Sequence, residues 1–110
     1  MDRERVFYGV AQVALHFPNS RSLKDKRSIL HSLKGRLAER YKISVVDAGP
    51  SDLWQRGILG IAVVGRDEGS VRSILAGIAR LIESEDRAVL LSFVTRVGSL
   101  DDDPSAEEDQ

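Results

Sequence analysis

The run Arg21-Ser22-Leu23-Lys24-Asp25-Lys26-Arg27 places four cations and one carboxylate where a strand-like pattern gives way to a helix-like one. The first turn of a helix carries the positive end of the macrodipole and favours Asp and Glu. Bases there cost helix stability, and the simplest reason to keep them is an anionic partner. Lys and Arg beside free helix N–H groups suit phosphate; the plain alternative is a solvated, charged helix face. Trp54-Gln55-Arg56 offers an indole that stacks on a base and a guanidinium for its phosphate. Its plain alternative is a Trp packed beneath a turn. His16 reads as a general base or ligand, or as a hydrogen-bonded residue at a strand end. The candidate nucleic-acid or anion-binding set is therefore Arg21, Lys24, Lys26, Arg27, Trp54, Gln55, Arg56 and His16. The other histidine, His31, falls in mid-helix and reads as a surface residue.

Other chemistries find little support. The chain has no Cys and two His, too few for a zinc site without several carboxylates, and no metal or cofactor is expected. There is no Gly-rich phosphate loop, nucleophile elbow or paired-carboxylate signature. Neither Ser32 nor Ser44 has a base to activate it. Acylphosphatases have an Arg-bearing loop after their first strand, as this chain does, but also need an Asn to place the attacking water. The only Asn here is Asn19, within that loop, where it cannot act from across the site. An enzyme is not expected. The charged start, Met-Asp-Arg-Glu-Arg, lacks the apolar segment of a signal peptide. No apolar run nears the ~20 residues of a membrane span. A cytoplasmic protein without membrane contact is expected.

The net charge of −1 conceals an uneven distribution. Residues 101–110 carry six acids and no base, leaving a body with 16 bases against 11 acids. Residues 21–42 alone hold eight bases and two acids. Residues 99–110 read as an acidic, disordered tail after a single domain spanning 1–98. That tail is either a solubilising end or a mimic of nucleic acid that shields the basic patch.

These residues must be positioned by the periodic segments. Val6 to Phe17 alternates as a strand, and Pro18-Asn19-Ser20 ends it. Ser22 and Asp25 form a capping box for a helix whose stripe is Leu23, Ile29, Leu30, Leu33, Leu37 and Tyr41. Ile43–Ala48 is a short strand, Gly49-Pro50-Ser51-Asp52 a turn, and Trp54–Gly65 a second long strand. Asp67 caps a second helix with the stripe Val71, Ile74, Leu75, Ile78, Leu81 and Ile82. Ala88–Val97 is the last strand.

The order β-α-β-β-α-β predicts an α+β, ferredoxin-like split βαβ fold. Both helices cover one face of a four-stranded antiparallel sheet of order 4-1-3-2. The expected core is Phe7, Val13, Leu15, Leu30, Leu33, Leu37, Leu59, Ile61, Ile74, Ile78 and Leu91 or Phe93. His16, Trp54 and Arg56 should share the helix-free face near the edge where the basic run begins. That face carries Val10, Ile58, Ala62, Val64, Leu90 and Val94, an apolar set that predicts a homodimer through the sheet. It lacks the paired aromatics with which RNA-recognition modules stack bases on β1 and β3. RNA is therefore expected at the loop edge.

The strings His16-Phe17-Pro18, Ser22-Leu23-Lys24-Asp25-Lys26-Arg27-Ser28, Ser44-Val45 and Asp52-Leu53-Trp54-Gln55-Arg56 resemble the YlxP-like family of small uncharacterised bacterial proteins. The resemblance covers residues 6–97. It implies a ferredoxin-like fold and no assigned molecular function. Family genes often lie beside those for translation initiation and ribosome-maturation factors, which implies a translation-linked role by association. Family members often carry a carboxylate where this chain has Ala14, Ile58 and Val94, so the sheet face here is more apolar. The functional expectation is an accessory factor that binds RNA or the ribosome through a basic loop edge. The alternative is a homo-oligomeric protein-interaction or small-anion-binding module.

Overall fold

The computed structural model describes residues 5–109. Residues 1–4, at the start of the expected domain, and Gln110, at the end of the expected tail, lie outside them. The elements are β1 (Phe7–His16), α1 (Leu23–Arg40), β2 (Ser44–Gly49), β3 (Arg56–Gly65), α2 (Glu68–Glu83), β4 (Val89–Ser99) and a 3-10 turn, Leu100–Asp102. The sheet order is β2-β3-β1-β4, and every neighbouring pair is antiparallel. This is the expected ferredoxin-like α+β arrangement.

Alternation in β1 has the predicted cause. Gly9, Ala11 and Val13 are buried, while Val10 and Gln12 between them are exposed. Helix α1 starts where Ser22 Oγ accepts the Asp25 amide at 3.0 Å. The Asp25 carboxylate reaches back to the Arg21 amide at 3.0 Å, one residue beyond the usual capping-box partner. Helix α2 starts the same way at Asp67, which accepts the Ser70 amide at 2.7 Å. Leu30, Leu33 and Leu37 of α1 and Val71, Ile78 and Ile82 of α2 meet the buried faces of β1 and β3 in one core. The approach is close at Gly9, where a methyl group would stand 2.6 Å from Val71 Cγ1. Phe7 and Ile74 pack at its margin.

Three features depart from expectation. A bulge between Ala14 and Leu15 places Leu90 opposite Leu15 and Ser92 opposite Ala14. The extra residue reverses face parity on one side of the bulge. Leu90 consequently packs against the core and is no part of the helix-free face, correcting its assignment to the oligomer interface. The same shift leaves Leu91 exposed, and Phe93 takes the core position.

The strand ends also move. β3 begins at Arg56, so Trp54 sits in the preceding loop and not on the sheet. β4 runs on to Ser99, which is buried opposite Phe7.

Residues 99–103 are not the disordered start of a tail. Asp102 accepts from Arg5 at 2.9 Å, and Asp103 accepts from the Tyr8 hydroxyl at 3.2 Å. Burial, together with the carboxylate of Asp103, raises the Tyr8 pKa. The tail is thus anchored at the end of β1 remote from the basic run. Tyr8 to His16 spans ~27 Å at ~3.4 Å per residue. An extended chain from Asp103 to Asp109 covers at most ~22 Å at ~3.6 Å per residue. The ~5 Å difference is within the combined reach of Glu and Arg side chains, so the anchor holds Asp102 and Asp103, but not Glu107, Glu108 and Asp109, away from the basic corner. Among the described residues, no helix is long and apolar enough to cross a membrane.

Candidate nucleic-acid interface

Helix α1 reaches the β2–β3 loop through Lys26. This residue shares the buried side of α1 with Ile29, Leu30, Leu33 and Leu37 and is only 4% exposed. Its Nζ donates to the carbonyls of Pro50 at 2.6 Å, Leu53 at 2.6 Å and Arg56 at 3.1 Å. An ammonium has three N–H donors, and here all three are used. Lys26 is therefore a fastening for the loop rather than a member of the exposed anion-binding set, which corrects its expected role. The loop enters through Gly49, with φ at 97°, and the cis Gly49–Pro50 bond; the Gly49 amide is held by Asp47 Oδ1 at 3.0 Å.

Gln55 ties the same loop to the β1–α1 connection. Its Nε2 donates to the carbonyls of Pro18 and Ser20, both at 3.2 Å. Its own carbonyl accepts the Phe17 amide at 3.0 Å. His16 Nδ1 lies 3.0 Å from that carbonyl, so this ring nitrogen carries a proton and donates. Gln55 and His16 thus have structural partners. His16 also stands opposite Arg56, as expected from their shared parity.

What remains open on this corner is a narrower set. Trp54 is 52% exposed, and Leu53 beside it is similarly open, so the Trp is not packed under the turn. Arg21, Lys24, Arg27 and Arg56 are all exposed. Among the described residues, none of the four enters an ion pair. A shallow depression of about 310 Å³ runs along Asp52–Arg56 beside the indole. The corner combines a fixed loop, a free aromatic face and unspent cations. Chemically, it is equipped to stack a flat ring and neutralise phosphate.

A model of the family described as "Protein of unknown function (DUF503)" matches residues 8–95. The chain belongs to that family. Its match spans both loop strings and stops before the Ser99–Asp103 anchor. "Uncharacterized protein YlxP" of Bacillus subtilis (strain 168) is 29% identical over 76 residues, covering 69% of this chain and 83% of that protein. The YlxP-like resemblance read from the loop strings is thereby shown. In this DUF503 chain the Ser-Leu-Lys-Asp-Lys-Arg and Asp-Leu-Trp-Gln-Arg strings meet in space through Lys26, and Gln55 joins the second of them to His16-Phe17-Pro18.

The sequence reading missed Leu53 as an exposed neighbour of Trp54. It also missed the cluster Arg36, Glu85 and Arg87 at the far end of α1. Glu85 is buried there, accepting from Arg36 at 3.0 Å and from Arg87 Nε at 2.9 Å. The strongest hydrogen bonding comes from Arg87, and the Glu85 pKa falls to about 2. Only the separation of Glu85 from a helical base was visible in sequence, and that is no signal of contact.

Proposed function

We propose that this protein is a translation-linked accessory factor that binds RNA, free or on the ribosome, through the corner formed by Trp54, Arg56, Arg21, Lys24 and Arg27. The observation that carries this reading is the fastened loop. Lys26 and Gln55 fix its backbone from beneath, while Trp54 stays half exposed among unpaired cations. An indole carried on a fixed backbone has less chain entropy to lose on stacking, and base–aromatic stacking contributes ~1–3 kcal/mol per base. The cations add a salt-dependent term through counterion release. The translation link comes from the YlxP-like resemblance.

The test is fluorescence anisotropy of a labelled single-stranded oligoribonucleotide across a salt series. Lys24→Glu with Arg27→Glu abolishes binding at moderate salt. The melting temperature is unchanged or slightly raised, since acids suit the first turn of α1. Wild-type protein that shows no affinity even at low salt defeats the reading. So does a double variant that loses its fold.

A second reading, a homodimer through the helix-free sheet face, is favoured by a specific observation. Val46, Val64 and Val94 on that face are each at least 60% exposed, with Val10, Ile58 and Ala62 among them. Exposed apolar surface of this kind marks an interaction site once the patch exceeds a few hundred Å². Isologous dimers are the commonest way to bury it. Such a dimer leaves the basic corner of each protomer open. Ile58→Glu with Val94→Glu then yields a folded monomer by light scattering. A wild type already monomeric at high micromolar concentration, or a double variant that stays dimeric, removes this reading.

A further inference from the structure

A groove of about 550 Å³ lies between the C-terminal halves of α1 and α2. Arg36, Arg40 and Tyr41 line one side, and Gly77, Arg80 and Ser84 the other. Gly77 makes room for it: a methyl group there would collide with the Tyr41 hydroxyl and stand 3.1 Å from Cζ. The phenol lies over that gap, and its hydroxyl has no hydrogen-bond partner among the described residues.

Bases in the last turn of a helix usually answer its exposed carbonyls. In α2 the carbonyls of Arg80, Leu81 and Ile82 have other donors, as does that of Leu37 in α1. The Ser84 amide reaches Arg80 O at 3.1 Å and Leu81 O at 3.2 Å, and Ser84 Oγ reaches Leu81 O at 2.6 Å. The Glu85 amide takes Ile82 O, and the Tyr41 amide takes Leu37 O. Arg36 is committed to Glu85 and Ser84. Arg40 and Arg80 are exposed and, among the described residues, make no ion pair or side-chain hydrogen bond. Glu39 is the one acid lining the groove, against guanidinium groups contributed by two helices.

We propose that this groove binds a phosphate group, held by Arg40 and Arg80 from opposite walls with the Tyr41 hydroxyl as a further donor. Planar guanidinium groups give phosphate paired, charge-assisted hydrogen bonds. The site is separate from the basic corner, since Lys24 and Arg40 stand ~24 Å apart at 1.5 Å rise per residue of α1. It therefore does not depend on the corner binding RNA. The phosphate belongs either to a small phosphorylated molecule or to an RNA strand.

The experiment follows backbone amide NMR shifts during titration with inorganic phosphate, pyrophosphate and a short 5′-hydroxyl oligoribonucleotide. Saturable shifts are expected at Tyr41, Gly77 and Ser84 in wild type and in Lys24→Glu/Arg27→Glu. Arg40→Ala with Arg80→Ala weakens them at least about tenfold, the loss of charged hydrogen bonds. Tyr41→Phe keeps the ring over Gly77 and weakens binding by a smaller factor. Saturation by the inorganic anions supports the site with a small ligand as source. Saturation by the oligonucleotide alone supports it with an RNA phosphodiester as source. Shifts that never saturate, or that survive the Arg40/Arg80 double substitution, overturn it, whichever probe is used.

Discussion

Lys26→Met is expected to lower stability by about 2–4 kcal/mol, although it removes a lone charge from an apolar surface. The substitution strips three loop carbonyls of their donor, and each unsatisfied buried acceptor costs ~1–3 kcal/mol. Relief from desolvating an ammonium offsets part of that sum. Met matches the length of the Lys stem and fits beside Ile29 and Leu30, so the loss is attributable to the carbonyls at Pro50, Leu53 and Arg56. Lys26→Arg should fail to rescue, because a flat fork cannot aim at three carbonyls converging on one point. Urea denaturation measures the effect, and amide exchange at Ser51–Gln55 shows whether the loop is released. A fall in melting temperature of less than about 4 °C, equivalent to under 1 kcal/mol for a domain of this size, contradicts the assignment. This result also separates two kinds of base in one short run. Lys24 and Arg27 are replaceable without structural cost, and Lys26 is not.

Acid should unfold the protein through Glu85. Its carboxyl is held at about 2 against an ordinary 4.5, first by hydrogen bonds from Arg87 and also by the charge of Arg36. A carboxylate with a depressed folded-state pKa contributes stability that is fully present above the unfolded value. That contribution fades as pH falls from about 4.5 towards about 2. At ~1.4 kcal/mol per unit the contribution is at most about 3.5 kcal/mol. Glu85→Gln should cost about 1.5–3 kcal/mol at neutral pH, the range for hydrogen bonds to a charged group. Below pH 4.5 the gap to wild type should close, because the wild-type carboxylate is being protonated. Stability measured by urea from pH 2 to pH 7 on both proteins tests this. Parallel curves would show that Glu85 does not couple to the fold. Asp67 and Asp103 also have lowered pKa values, from hydrogen bonds with Ser70 and Ser105, and they titrate alike in both proteins.

Local patterns in the chain determined the elements and their order. The alternation of β1, the apolar stripe of α2 and the caps at Ser22 and Asp67 are all expressed within one or two turns of sequence. The handedness of βαβ crossovers then leaves the 4-1-3-2 sheet as the natural closure. The meeting of the two loop strings also follows from that topology, because the end of β1 abuts the start of β3. Tertiary structure decided which charges are free. Lys26 stands three, four, seven and eleven residues before Ile29, Leu30, Leu33 and Leu37. That spacing puts it on the apolar stripe and not, as expected, among the solvent-facing bases, and the carbonyls that make its burial tolerable come from residues 24–30 positions away. The side of the sheet that Leu90 joins depends on a bulge, which exists only relative to a partner strand. Glu85 gains Arg36 across 49 residues, and Asp103 gains Tyr8 across 95. Burial periodicity is a property of neighbours along the chain; the satisfaction of a buried charge or carbonyl is a property of neighbours in space.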